Sequence, residues 1–367
     1  MGISERLLMG PGPSNPYPEV TMALSGPVVG HLDPQFLRLL DETNDRLREV
    51  FATSNALTLP VSGTGSAGME ASFVNFVRPG DPVVVGVNGV FGERMCEVAS
   101  RHGAQVTRVD APWGEPLDPL ELLAAHPDPS IIAVVHAETS TGVRNDVEPL
   151  GRGKGGALLL VDTVTSLGGI PVDVDGWGVD IAYSGTQKCL GVPPGLAPLT
   201  VSPRALERLV ARPSSWYLDL NLLARYVNDA SGAGRVYHHT APVAMVAALH
   251  AGLGTLLDEG LEPAWQRHAD CGRLLAGGLT RLGLELLVQD ADHRLPQLTT
   301  VKVPEGADEA ACRRRLLDAY GIEIGAGAGQ LAGRIWRIGC MGHVARHRNV
   351  FALLGALREV LSEVPGG

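Results

Sequence analysis

Val179-Asp180-Ile181-Ala182-Tyr183-Ser184-Gly185-Thr186-Gln187-Lys188 begins as a short apolar run, breaks into small polar residues and ends on a lysine. No acidic residue follows in Cys189-Leu190-Gly191-Val192-Pro193-Pro194-Gly195. A lysine at the end of a core strand, in apolar surroundings, is where burial lowers an amine pKa and makes the amine a nucleophile. An ordinary surface lysine in a loop is the competing reading. The neighbouring sequence has to decide between them.

Upstream, strands alternate with helices. Leu57-Thr58-Leu59-Pro60-Val61 reads as a strand, 66–77 as a helix and 82–87 as a strand of almost continuous valine, buried on both faces. Residues 90–102 read as a helix, 105–109 as a strand and 117–126 as a helix; 131–136, 158–162, 181–184 and 196–201 follow as strands. This rhythm predicts an α/β fold with a mostly parallel central sheet and helices on both faces. The glycine-rich 141–156 segment reads as a loop with at most a short helix. Beyond 201 the pattern changes. We expect a helix over 203–211, an irregular stretch over 212–240, and long helices over 241–257 and 263–282. Strands over 297–303 and 334–338, each beside a helix (308–320 and 343–364), make a smaller C-terminal α+β domain. Residues 1–16 end in Gly10-Pro11-Gly12-Pro13-Ser14-Asn15-Pro16, which suits neither helix nor central strand. They form an arm, of a kind that often lies on a partner subunit. The expected division is 1–16 arm, 17–259 large domain and 260–367 small domain.

The chain has 367 residues, of which 45% are hydrophobic and 19% charged, enough for a large core and more than one domain. A net charge of −10 argues against a nucleic-acid partner. The N-terminus has no apolar signal core, and Arg6 stands where a myristoylation signal wants Ser or Thr. The longest apolar stretch, 241–257, is too short to span a bilayer. Five cysteines without a C-x-x-C pair suggest reduced thiols, no zinc site and a cytoplasmic protein.

Several other residues invite chemistry. Ser62-Gly63-Thr64-Gly65-Ser66 lies between a strand and a helix start, and reads either as a phosphate cradle or as a plain βα turn. Asp162 closes a buried strand at the edge where open α/β sheets bind ligands, or it caps the next turn. Thr139, in His136-Ala137-Glu138-Thr139-Ser140-Thr141-Gly142, ends another strand at that edge and can reach a ring hydroxyl or a phosphate, or serve the turn. Arg337, inside Ile335-Trp336-Arg337-Ile338-Gly339, needs an anion, either a substrate carboxylate or an internal ion pair. His343 and His347 read as helix surface, and Gly325-Ala326-Gly327-Ala328-Gly329 as a loop.

In combination and in order, these runs closely resemble class V aminotransferases, pyridoxal-phosphate enzymes of fold type I. Within them the chain resembles the alanine–glyoxylate and serine–pyruvate aminotransferase family. The matching runs also include Met9-Gly10-Pro11-Gly12-Pro13-Ser14-Asn15, Asn88-Gly89-Val90-Phe91-Gly92 and Tyr237-His238-His239-Thr240, and the likeness covers nearly the whole chain. The resemblance implies that Lys188 bonds pyridoxal 5′-phosphate and that Asp162 pairs with its ring nitrogen. It implies that Thr64, Gly65, Ser66 and Gln187 hold the phosphate, that Thr139 meets the ring hydroxyl and that Phe91 stacks on the ring. Arg337, with Gly12 nearby, would take the substrate carboxylate. Tyr237 and Thr240 would reach the neighbouring subunit's cofactor, making a homodimer with shared sites. Phe91 stands where animal enzymes often have tryptophan, and Ser66 where a histidine follows the cradle. The implied reaction moves an amino group from a small amino acid, alanine or serine, to a 2-oxo acid such as glyoxylate or pyruvate. Pyridoxamine–pyruvate and phosphonate-type aminotransferases are the alternatives. A cysteine desulfurase is disfavoured, because Cys340 directly follows the Arg337 strand instead of sitting on a long loop.

Overall fold

The structure, a computed structural model, describes residues 2, 4–227 and 235–363. Part of the stretch read as irregular (228–234) and the last residue of the helix expected over 343–364 lie outside the described residues. A seven-stranded sheet runs in the order Leu57–Ser62, Leu196–Val201, Ile181–Tyr183, Leu158–Asp162, Ile131–Val135, Pro82–Val87, Gln105–Asp110. Leu196–Val201 is antiparallel to both neighbours, and the other pairings are parallel. The continuous apolar strands Ile131–Val135, Leu158–Asp162 and Leu196–Val201 are buried throughout, as a sheet covered on both faces requires.

The register aligns the strand ends that matter. Val135 lies opposite Asp162, and Asp162 opposite Tyr183, so three strand ends share one edge. Ser62 lies opposite Leu196, which brings the 62–66 turn to the same edge. Gln105–Asp110 and Ile131–Val135 flank Pro82–Val87 on opposite sides. The chain therefore reverses its strand order there, the kind of place where open α/β sheets bind ligands.

A second apolar cluster surrounds the three-stranded sheet formed by Leu298–Lys302, Ile335–Gly339 and Gly325–Ala326. It takes in the helices Leu261–Arg281, Glu309–Tyr320 and His347–Glu363 and includes Trp336. Met9, from the N-terminal segment, is fully buried in this cluster.

Several local readings change. Residues 7–14 lie on this same chain. Leu7–Leu8 pairs in parallel with Ile322–Glu323, and the Met9 carbonyl accepts from the Gly339 N–H at 2.8 Å. The stretch read as irregular contains a helix, Leu220–Val227, whose Leu220, Leu223, Tyr226 and Val227 are buried. Pro18–Leu24 is also helical, with Pro18 in its first turn, and Glu148–Gly153 is the short helix allowed within 141–156. The helix starting at Pro203 ends at Leu206. Gly325-Ala326 is a strand, because the Arg337 strand offers it a ladder. His343 and His347 do not share a helix face: His343 sits in a 3-10 turn, edge-on to Tyr17 at 5.4 Å.

Asp180, just before the strand Ile181–Tyr183, is buried and binds Lys154, Arg204 and the Leu159 N–H, the last at 2.9 Å. Removing the carboxylate strands a buried ammonium and an amide. Asp180→Ala should lower the unfolding free energy by about 3 kcal/mol. Urea unfolding at pH 7 checks this; a loss below about 1 kcal/mol would show the cluster to be solvated.

Candidate active site

The chain holds three lysines, Lys154, Lys188 and Lys302. Lys154 is bound to buried Asp180, and exposed Lys302 to Glu285 at 2.5 Å. Lys188 is buried, donates to the Pro11 carbonyl, and makes no ion pair among the described residues. Burial and then the positive charge of Arg337 lower its pKa to about 8. The arm packs on it directly. Ser14 Oγ donates to the Lys188 carbonyl at 2.8 Å, and the Ser14 N–H to the Gln187 carbonyl at 2.9 Å. Gly12 has φ +108°, and a Cβ there would come within 2.7 Å of Lys188 Cδ and 2.8 Å of Nζ. Only glycine lets the arm pass so close to the amine.

Asp162 is buried, and both its hydrogen-bond partners are neutral. Oδ2 accepts from the Tyr183 hydroxyl at 2.7 Å, and Oδ1 from the Val164 N–H at 2.7 Å. The capping reading is thus half true, since one oxygen serves the next turn. Burial raises the carboxyl pKa to about 6, against the pull of those two donors. A carboxylate held this way is complete only with a cation beside it.

The 62–66 turn meets the same place. The helix Gly65–Val74 starts here, so its first N–H groups have no carbonyl a turn earlier. Gly65 lies against Val164, where a Cβ would approach Cγ2 to 2.9 Å. Gly185 is also close to Val164, and a Cβ there would come within 2.7 Å of Gln187 Oε1. Gln187 Oε1 is buried without a hydrogen-bond partner. Ser66 Oγ lies 3.4 Å from Arg94, whose guanidinium covers the Phe91 ring at 4.9 Å. Thr139 is buried and shares a short hydroxyl contact with Thr165.

Arg337 is partly buried; its Nε donates to the Ala326 carbonyl at 2.7 Å. Among the described residues it makes no ion pair, which removes the internal salt bridge as its explanation. Burial lowers its pKa, with Glu138 opposing. Lys188, Asp162, Gly12 and Arg337 therefore meet at one sheet edge, with the cradle next to the Asp162 turn. Tyr237 and Thr240 do not join them and are exposed on this chain.

A class V aminotransferase model matches residues 20–340. The alanine–glyoxylate aminotransferase of Callithrix jacchus is 41% identical over 100% of this chain and 90% of that protein. The (S)-ureidoglycine–glyoxylate transaminase of Bacillus subtilis is 38% identical over 97% of this chain and 90% of that protein. The crystal structure of an alanine–glyoxylate aminotransferase from Nostoc sp. superposes with a TM-score of 0.95 at 49% identity, covering 98% of this chain and 96% of that one.

The chain belongs to the class V aminotransferases. It is a transaminase dependent on pyridoxal phosphate, with the fold type I architecture expected from its sequence. Its residues fit that cofactor: an unpaired buried amine, a buried carboxylate lacking a cation, an orphaned Gln187 oxygen and a glycine-lined helix start. For this class V enzyme, sequence reasoning assigned no role to two buried groups. Tyr183 is the partner of Asp162; a tyrosine closing a buried strand needs a partner for its hydroxyl, and that was the available signal. The Glu138 carboxylate accepts from the Phe91 and Gly92 N–H groups at 3.2 and 3.3 Å and from Ser140 Oγ at 2.6 Å. It closes the start of the helix Val90–Arg101, and so sets the position of Phe91. All five cysteines are free and buried, Cys340 completely, so none is an exposed-loop nucleophile of the desulfurase kind.

Proposed function

We propose that this enzyme moves an amino group from a small amino acid, alanine or serine, to glyoxylate or pyruvate, with Lys188 as the residue that bonds the cofactor. The observation that carries the site assignment is Lys188 itself: among the described residues, the one lysine without an acid partner, held buried near Asp162 and Arg337. The names of the relatives favour glyoxylate as acceptor.

When bound here, pyridoxal phosphate supplies a pyridinium ring that withdraws electrons from the α-carbon of an amino acid. Asp162 would hold the ring nitrogen, Thr139 the ring hydroxyl and Phe91 one ring face. Thr64, Gly65, Ser66 and Gln187 would hold the phosphate. The Lys188 amine, whose pKa burial lowers to about 8, would take the proton from the substrate Cα and hold it for return. Arg337 fixes the substrate carboxylate and so aims the Cα–H bond at that amine. Lys188 is itself buried, with the Pro11 carbonyl on its amine and buried Ser14 on its backbone, which limits the access of water.

The arm (1–16), large domain (17–259) and small domain (260–367) are our working division, supported by the two separate apolar clusters. We also place the enzyme in the cytoplasm as a homodimer. Free cysteines support the first. Exposure of Tyr237 and Thr240 supports the second, each reaching the neighbour's cofactor phosphate.

The test is a half-reaction screen, in which each amino acid alone is added to the holoenzyme and the cofactor absorbance is followed. Alanine or serine should convert it. Conversion by pyridoxamine or ureidoglycine with neither of those two active would overturn the donor assignment. Arg337→Ala should raise KM for the amino acid about 100-fold, the worth of a desolvated guanidinium–carboxylate pair, with a smaller effect on kcat. An unchanged KM would place the carboxylate elsewhere.

A further inference from the structure

One buried carboxylate ties together the two segments that follow neighbouring strands where the sheet reverses its order. Glu138 is fully buried and ends the two-residue strand Ala137–Glu138, just after Ile131–Val135. Val90, Phe91 and Gly92 open the helix that follows the adjacent strand Pro82–Val87. Their N–H groups have no carbonyl a turn earlier, and the Gly89 cap offers no side chain. Glu138 and Ser140 serve all three. Glu138 Oε2 accepts from the Phe91 and Gly92 N–H groups, and Ser140 Oγ accepts from the Val90 N–H at 2.9 Å. Glu138 Oε1 accepts from the Ser140 N–H at 3.0 Å and from its hydroxyl, so the two side chains act as one unit.

The two segments touch. A Cβ at Gly89 would come within 2.4 Å of Glu138 Cγ and Cδ and of Ser140 Oγ. The base under the carboxylate is fixed as well, because Glu138 lies opposite Val143 and its carbonyl accepts from the Gly142 N–H at 2.8 Å. Thr139, between the two clamping residues, is held independently by the Thr165 hydroxyl. Phe91 is only half-buried, and its main chain is fixed through Glu138. A helix start needs no such partner: a Ser or Asp at the cap serves it locally. Here the cap comes from 47 residues along the chain and takes a carboxylate out of water. What this arrangement adds over a local cap is a fixed distance between two loops.

We propose that Glu138 and Ser140 are positioning residues of this transaminase, which hold the Phe91 ring at a set distance from Thr139 so that the two retain the cofactor when Lys188 no longer bonds it. The proposal rests on Phe91, Thr139 and Lys188 contacting the cofactor as proposed above. Transfer of the amino group leaves the cofactor as pyridoxamine phosphate, which carries an amine where the lysine was bonded and is held by non-covalent contacts alone. The clamp therefore matters most in that form.

The test is the Kd of pyridoxamine phosphate on the full-length protein, measured by equilibrium dialysis beside that of pyridoxal phosphate, with urea unfolding to show that each variant is folded. Phe91→Leu and Glu138→Gln should each raise the Kd of pyridoxamine phosphate about 10-fold, the order of one aromatic stack. Glutamine suffices to break the clamp, because its single amide oxygen cannot accept from both segments. The Kd of pyridoxal phosphate, bonded to Lys188, should change less than about 3-fold. Glu138→Gln combined with Phe91→Leu should lie within about 3-fold of Phe91→Leu alone, since no ring is left to position, whereas independent effects would multiply to about 100-fold. A multiplied effect, equal losses of both cofactor forms, or an unchanged Kd in Glu138→Gln beside a weakened Phe91→Leu would overturn the clamp. An unchanged Kd in Phe91→Leu would remove Phe91 from the cofactor site and the clamp with it. If Glu138→Gln does not fold, Ser140→Ala, which frees the Val90 N–H and keeps the carboxylate, takes its place in the same cycle with the same expectation.

Discussion

Lys188→Ala should yield a folded protein that binds pyridoxal phosphate without bonding to it and transaminates about 10⁴-fold more slowly. The size of the loss follows from two roles resting on one amine. In our proposal Lys188 is the attachment point and also the group that carries the Cα proton, and neither of the other two lysines is free to replace it. Lys154 is tied to Asp180, and Lys302 is exposed on the C-terminal sheet beside Glu285. With only three lysines in the chain, the assignment can be read without ambiguity. Borohydride reduction of the wild-type holoenzyme should fix the cofactor to the peptide that contains Lys188, and reduction of the variant should fix none. Cofactor recovered on a Lys154 or Lys302 peptide would end the assignment. The folded state should tolerate the change, because the amine's one hydrogen bond, to the Pro11 carbonyl, is replaced by a small side chain next to Gly12.

Asp162→Asn should split activity from stability. The carboxyl pKa is raised from 3.8 to about 6 by burial. The folded chain therefore holds this proton more tightly than the unfolded chain does. The contribution of Asp162 to stability is fully present below about pH 4, and is lost as pH rises through about 6, by about 3 kcal/mol in all. Asparagine keeps the shape, the Val164 contact and a partner for Tyr183, and carries no charge to bury. In the cofactor-free protein at pH 8, Asp162→Asn should be more stable than wild type by about 1–3 kcal/mol, with the gap closing toward pH 4. Transamination should fall about 10²–10³-fold, because the counter-charge of the ring nitrogen is gone. Urea unfolding across that pH range, beside the half-reaction rate, checks both halves. A variant less stable than wild type at pH 8, or a gap that does not change with pH, would show that the carboxylate is already paired.

Much of this was legible in the chain. Alternation of continuous apolar runs with amphipathic segments located the inner strands of the large sheet, because a strand buried on both faces has to be apolar throughout, and the half-exposed edge strand Gln105–Asp110 followed from the same rhythm. Short elements were not legible. Leu7–Leu8 and Gly325–Ala326 have two residues each, too few to show a period, and exist only because another strand offers a ladder. The helix Leu220–Val227 is too short to hold itself in water and depends on the packing of Leu220, Leu223 and Tyr226.

At the site the division is similar. Lys188, Asp162, Arg337 and the 62–66 turn were each singled out from residue type and position, and their order along the chain led to one family. Sequence alone left each of them between a bland role and a chemical one. Tertiary structure fixed their partners. It gave Lys154 and Lys302 acids and Lys188 none among the described residues. It placed Tyr183 across the sheet from Asp162, folded the arm over the amine through Gly12, and set Glu138 behind Phe91. The physical reason is that burial and pairing, which set a pKa and a charge, depend on neighbours far apart in the chain. The type of chemistry was therefore legible in the local sequence, whereas the partners that surround each lysine were set only by the fold.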